Sequence, residues 1–351
     1  MMDRFTGVTR RTVLQAAAVL PGAAALGWPL ATLALAADKV DIAAAKKEGK
    51  VVLYTSAPVK AAEAVAKAFE KEYGIKVELF RTGGTEVLRR FMMEQQVGHK
   101  GADVLVSSDP GATIDLANKG SFIPFVPKDA DKIREGLNDE KGRFIAQRVS
   151  IITNYARSDL YPLEKMPQTW EDLLKPEFKG KLVMTDPSFS SLALVVAAMN
   201  VKNHGWEFYE GLRKNEILVV RGNQIALTMV KSGERPIAAG VDSQYANEAR
   251  MAGFKIHSLP PKDGTFAIPS ITAVVKDCAH PNAAKLLAEY TISKEAEMLW
   301  PKEGVYAARA DLDPPEGAPR IADIKLSPLD YHYVNDQAAA VKKKFSEIFS
   351  S

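Results

Sequence analysis

Residues 50–106 alternate short apolar runs with stretches of helical periodicity, and few folds are open to a chain that does this. Lys50-Val51-Val52-Leu53-Tyr54-Thr55 reads as a buried parallel strand. Ser56 and Pro58 then open an amphipathic helix to about Tyr73, with Ala61, Val65, Ala68 and Phe69 on one face. Ile75-Lys76-Val77-Glu78-Leu79-Phe80 is a second strand, and a helix through Val97 follows Thr82-Gly83-Gly84-Thr85. Ala102-Asp103-Val104-Leu105-Val106 is a third strand. This rhythm predicts an α/β lobe with a mostly parallel sheet.

The rhythm recurs over residues 158–262. Strands are expected at 181–184, 217–220 and 237–240, with helices at 190–203 and 224–231. Two β-type runs flank this second unit: Val149-Ser150-Ile151-Ile152-Thr153-Asn154-Tyr155, and residues 265–276. Both can cross between lobes, and two crossings form a double hinge suited to closing a cleft. The expected division is a first lobe from 37–148 and 272–351, and a second from 149–271. The end reads as helical at 282–292, 294–300 and 335–349.

The N-terminus reads as an address. Arg4, Arg10 and Arg11 precede residues 13–36, which carry no charge, and Ala34-Leu35-Ala36 suits signal peptidase. Thr9-Arg10-Arg11-Thr12-Val13-Leu14-Gln15 resembles the twin-arginine motif, with Val13 and Gln15 in place of the usual Phe and Lys. A signal peptide over 1–36, cleaved after Ala36, would deliver the chain to the periplasm. The formal charge of +3 then falls to about +1, too balanced to argue for nucleic acid. One cysteine, Cys278, allows no internal disulfide.

The strand-to-helix loops carry hydroxyls and glycines: Ser56 in the first, Thr82, Gly83, Gly84 and Thr85 in the second, Ser107 and Ser108 in the third. The second lobe repeats the theme with Ser190 and Ser191 ahead of one helix and Arg221 ahead of another. Asp242, Ser243 and Tyr245 follow its last strand. Ligands in open α/β sheets lie off the carboxyl ends of the strands, where helix N-termini present free N–H groups. These residues are therefore expected to bind a small organic anion: a phosphonate, phosphate ester or carboxylate. Each also has a plain structural reading, as cap, turn or surface ion. Asp330-Tyr331-His332-Tyr333 and the tryptophans Trp170, Trp206 and Trp300 are read as structural. No Gly-x-Ser-x-Gly, His-Glu-x-x-His, P-loop or dinucleotide fingerprint is present, so a binder is expected rather than an enzyme. A secreted hydrolase is the alternative from another class.

Several ordered patterns carry a family resemblance. Pro167-Gln168-Thr169-Trp170-Glu171-Asp172-Leu173-Leu174-Lys175-Pro176-Glu177-Phe178-Lys179-Gly180-Lys181 is similar to a segment of the ferric-iron-type periplasmic binding proteins, family 1 of the extracellular solute-binding proteins. Asp186-Pro187-Ser188-Phe189-Ser190, Lys231-Ser232-Gly233-Glu234 and His280-Pro281-Asn282-Ala283-Ala284-Lys285 resemble further segments of the same family. The resemblance implies a two-lobe, type II periplasmic binding protein. Such a protein is expected to act as a monomer, without a cofactor, and to hand its solute to the permease subunits of an ABC importer. Iron-binding relatives use a Tyr-Tyr pair, often helped by a His and a Glu. Here Gln244 stands where the first Tyr would be. If iron were the ligand, Tyr245 and Glu94 would be the metal ligands implied.

Overall fold

The computed structural model describes residues 39–350. The proposed signal segment lies outside them, as does its cleavage site. The first unit runs α1 (Ile42–Glu48), β1 (Lys50–Thr55), α2 (Val59–Tyr73), β2 (Lys76–Arg81), α3 (Gly84–Gln96), β3 (Val104–Ser107) and α4 (Pro110–Asn118). The long strand β4 (Ile145–Arg157) leads away from it. The second unit runs β5 (Leu182–Thr185), α5 (Ser191–His204), α6 (Glu207–Lys214), β6 (Leu218–Val220), α7 (Asn223–Ser232), β7 (Ile237–Asp242), α8 (Ser243–Met251) and β8 (Ile256–Leu259). Strand β9 (Ala267–Val274) leads back to α9 (Pro281–Thr291), α10 (Lys294–Glu297), α11 (Leu299–Lys302), β10 (Tyr306–Ala307) and α12 (Tyr331–Phe349).

The strand order β2-β1-β3-β9-β4-β7-β5-β6 explains the two lobes. β1 pairs in parallel with β2 and β3, and β5 in parallel with β6 and β7. Between the two triplets lie β9 and β4, antiparallel to each other and to their outer neighbours. The parallel character therefore belongs to each lobe, and the antiparallel pairs to the two crossing strands. β4 is buried along all but its last residue, because it is flanked on both edges and covered on both faces.

Each lobe has its own core. In the first, Ala61, Val65 and Phe69 of α2 pack with Val51 and Leu53 of β1 and with Leu286, Leu287 and Trp300. In the second, Trp170 packs with Phe208 and Phe266 at ring separations of 6.3 and 5.8 Å, and its indole N–H donates to the Gly264 carbonyl. Gly240 lies under that indole with φ 64°; a Cβ there would stand 2.9 Å from the ring, so only glycine fits. The Thr-Trp-x-Asp pattern is thus local architecture: Asp172 also accepts from the N–H groups of Gln168 and Thr169.

Two segments differ from expectation. Residues 294–300 form two short helices rather than one, because Pro301 has no N–H to donate to the Glu297 carbonyl. The last helix begins at Tyr331, with Asp330 capping it through the Tyr333 N–H. α12 buries Val334, Val341 and Phe345 in the cluster that holds α5 and α6, while also touching α4.

Candidate functional site

A cavity of about 170 Å³ lies where the carboxyl ends of both parallel triplets face each other. From the first lobe it receives Ser56, Arg81, Gly83, Gly84 and Ser108. The second contributes Phe189, Ser190, Ser191, Arg221 and Asn223, with Asp242, Gln244 and Tyr245 behind them. Arg148 reaches the cavity from the crossing strand β4.

Nine expected residues therefore meet: Ser56, Gly83, Gly84, Ser108, Ser190, Ser191, Arg221, Asp242 and Tyr245. Thr82, Thr85, Ser107 and Ser243 are not among the lining residues. The Ser107 hydroxyl accepts from the Asp109 N–H, a turn role. Ser190 lines the cavity but spends its hydroxyl capping α5 through the Ala193 N–H. Glu94 needs correcting. It lies ten residues along α3 from Gly84, a rise of about 15 Å, where it accepts from the Tyr54 hydroxyl and from Arg90 Nε at 3.0 and 2.8 Å. It cannot join Tyr245 in a metal shell, and among the described residues no three His, Cys, Asp or Glu side chains cluster as a metal site.

Helix starts dominate the cavity wall. α3 and α7, one from each lobe, begin behind glycine N-caps, Gly83 and Gly222, and neither has a side-chain acceptor on its first N–H groups. Uncapped N-termini carry roughly half a positive charge and open donors. The lobes touch here. A Cβ on Gly84 would stand 2.5 Å from Ser191 Oγ and 3.6 Å from the Ser56 Cβ.

A chain of polar contacts forms the floor. Ser108 Oγ lies 3.4 Å from Ser56 Oγ and 2.8 Å from Ser270 Oγ, and it accepts from Arg148 Nη2 at 3.1 Å. Burial pushes the Arg148 guanidinium down to about 10. Asp242 accepts from the Ser150 hydroxyl at 2.8 Å and from the Gln244 N–H at 3.1 Å; burial raises its carboxyl. Burial also raises the Tyr245 phenol to about 12, which keeps it protonated and able to donate. Arg81 Nε donates to the Ala57 carbonyl, and Arg221 lies 4.8 Å over the Phe189 ring. Three guanidinium groups thus face one carboxylate. The Ser191 hydroxyl is buried with no partner.

Arg81, Arg148, Asn223 and Gln244 also line the cavity and lie outside the set that the loops predict. For Arg148 the signal was present as one cation at the head of the Val149–Tyr155 apolar run.

The model of the bacterial extracellular solute-binding protein family matches residues 100–337. A Salmonella paratyphi A protein, provisionally named a 2-aminoethylphosphonate-binding periplasmic protein, is 27% identical over 240 residues, 66% of this chain and 68% of its own length. The Fe(3+)-binding periplasmic protein of Serratia marcescens is 23% identical over 273 residues, 73% of this chain and 77% of that one. Among solved structures, the periplasmic binding protein AfuA of Actinobacillus pleuropneumoniae, with fructose-6-phosphate bound, superposes with a TM-score of 0.76 at 21% identity. That superposition covers 86% of this chain and 99% of that one.

Proposed function

The chain belongs to the bacterial extracellular solute-binding proteins, and we propose that it captures a small organic anion between its lobes and delivers it, unchanged, to the permease of an ABC importer. The lobes we propose are those delimited above, 37–148 with 272–351 and 149–271, except that α12 packs its apolar face into the core of the second, and the working compartment is the periplasm. One observation carries the choice of an anion: α3 and α7 open onto the cavity without side-chain caps, beside Arg81, Arg148 and Arg221. A ligand oxygen can complete both helix starts, as phosphates and carboxylates do elsewhere. A phosphonate or phosphate ester suits this donor set best, since its oxygens point toward several walls at once. The names of the Salmonella relative and the AfuA complex support the same class.

Thermal melting of the exported protein tests the reading. 2-Aminoethylphosphonate, fructose 6-phosphate, a carboxylate panel and ferric citrate are each added at millimolar concentration. An organic anion should raise the Tm and be recovered intact by mass spectrometry. A shift with ferric citrate alone, or turnover of an added compound, overturns it.

A further inference from the structure

We propose that Arg148 is the counter-charge reserved for the ligand, so that the solute enters charged end first and its anionic group rests on the crossing strand at the cleft floor. The inference builds on the anion reading above. Arg148 is only 2% exposed, yet its side chain makes a single hydrogen bond, to Ser108. Its Nε is buried and has no partner. Among the described residues no carboxylate lies within ion-pair distance of its guanidinium. Asp242 faces it, but that carboxylate already accepts from Ser150 and Gln244. Trp300 covers the other side, 5.8 Å from the guanidinium carbon, and supplies no anion.

A charge removed from water without a paired charge is strongly unfavourable. The backbone does not call for one here: β4 is held by pairing with β9, β10, β7 and β8, with an irregularity in the β9 register between Ala146 and Arg148. The cost has a purpose if an anion completes the group. The cavity offers a second waiting donor, Ser191 Oγ, also buried and unpartnered, on the opposite lobe. An anionic group with two or more acceptor oxygens can bridge Arg148 and Ser191. It then joins the crossing strand to the second lobe only when the cleft is shut.

Arg148→Met and Arg148→Lys in the mature protein test this by two readouts. One is calorimetric affinity for 2-aminoethylphosphonate and for fructose 6-phosphate; the other is the melting temperature without ligand. Arg148→Met should bind at least about a hundredfold more weakly, the loss that follows removal of a buried partner of a charge. Arg148→Lys keeps the charge without the fork and should fall between the two. Without ligand, Arg148→Met should melt at or above the wild-type temperature, since it removes a desolvated ion that no carboxylate bridges, while Asp242 beside it keeps its bonds from Ser150 and Gln244. Unchanged affinity overturns the proposal, as does an unliganded Arg148→Met that melts several degrees low while Arg148→Lys does not. If the wild type binds neither probe, the phosphonate and phosphate-ester reading falls. The melting comparison then decides Arg148 alone: a Tm at or above wild type upholds the reserved charge and one several degrees lower overturns it.

Discussion

Gly84 of the first lobe abuts Ser191 of the second so closely that a Cβ on residue 84 would stand 2.5 Å from the Ser191 hydroxyl oxygen. The absence of a side chain at one helix start is what lets the other helix start approach. Gly84→Ala should prop the cleft open. Affinity for whichever anion shifts the Tm should drop about tenfold or more, the worth of at least one charge-assisted hydrogen bond. The unliganded protein should melt within a degree or two of wild type, because alanine is a better helix former. Calorimetry and a melt check both; wild-type affinity would show that closure does not use this contact.

Ser191→Ala removes a hydroxyl that has no partner in the protein. Stability should therefore hold or rise slightly, while anion affinity falls by about 1.5–3 kcal/mol. Tyr245→Phe should weaken binding in the same direction, since the phenol is held in its protonated, donating form. Titrations of the two variants against wild type measure this, and intact affinity in both would remove these residues from the binding set.

Glu297 is fully buried and gives one oxygen to the Arg309 N–H, and burial holds its carboxyl well above the ordinary value of 4.5. In the window between the unfolded and folded values the native state holds more protons than the unfolded one. Stability is then complete below about pH 4.5 and declines as pH rises through the folded value. Glu297→Gln should flatten that decline and make the protein more stable at pH 7. Urea melts at pH 5, 6, 7 and 8 reveal it; an unchanged slope would assign the pH dependence elsewhere.

Asp103 accepts from the Val52 N–H at 2.7 Å, the His280 N–H at 3.1 Å and His280 Nδ1 at 2.8 Å. It ties β1 to the start of α9 from a site 1% exposed. Asp103→Asn replaces an acceptor with a donor facing N–H groups, and should cost about 2–4 kcal/mol by chemical denaturation. Ligand affinity should not move, because the cluster lies outside the cavity. A stability loss below 0.5 kcal/mol would contradict the geometry.

Much of this architecture is legible in one sequence because backbone periodicity reports burial. β1 to β3 and β5 to β7 are short apolar runs, and they fall within a residue or two of where the pattern put them. The crossing strands were readable for the same reason. α8 was not, since its buried Ala246 and Ala249 are small and sit among Gln244, Asn247, Glu248 and Arg250. Hydroxyl-rich loops pointed to the right wall of the cavity, yet the pattern could not separate Ser190, a cap, from Ser191, a free donor. Arg148 escaped because a strand position says nothing of which charge its neighbours leave unmatched. Glu94 was placed at the metal by resemblance alone, and the rise along α3 carries it away.

Strand β4 both joins the lobes and holds Arg148 and Ser150 at the cavity floor. On the proposed reading an anion bound there grips the axle of the clamp and not only its jaws. On that reading a loaded protein differs from an empty one at the hinge strand as well as in the angle between the lobes.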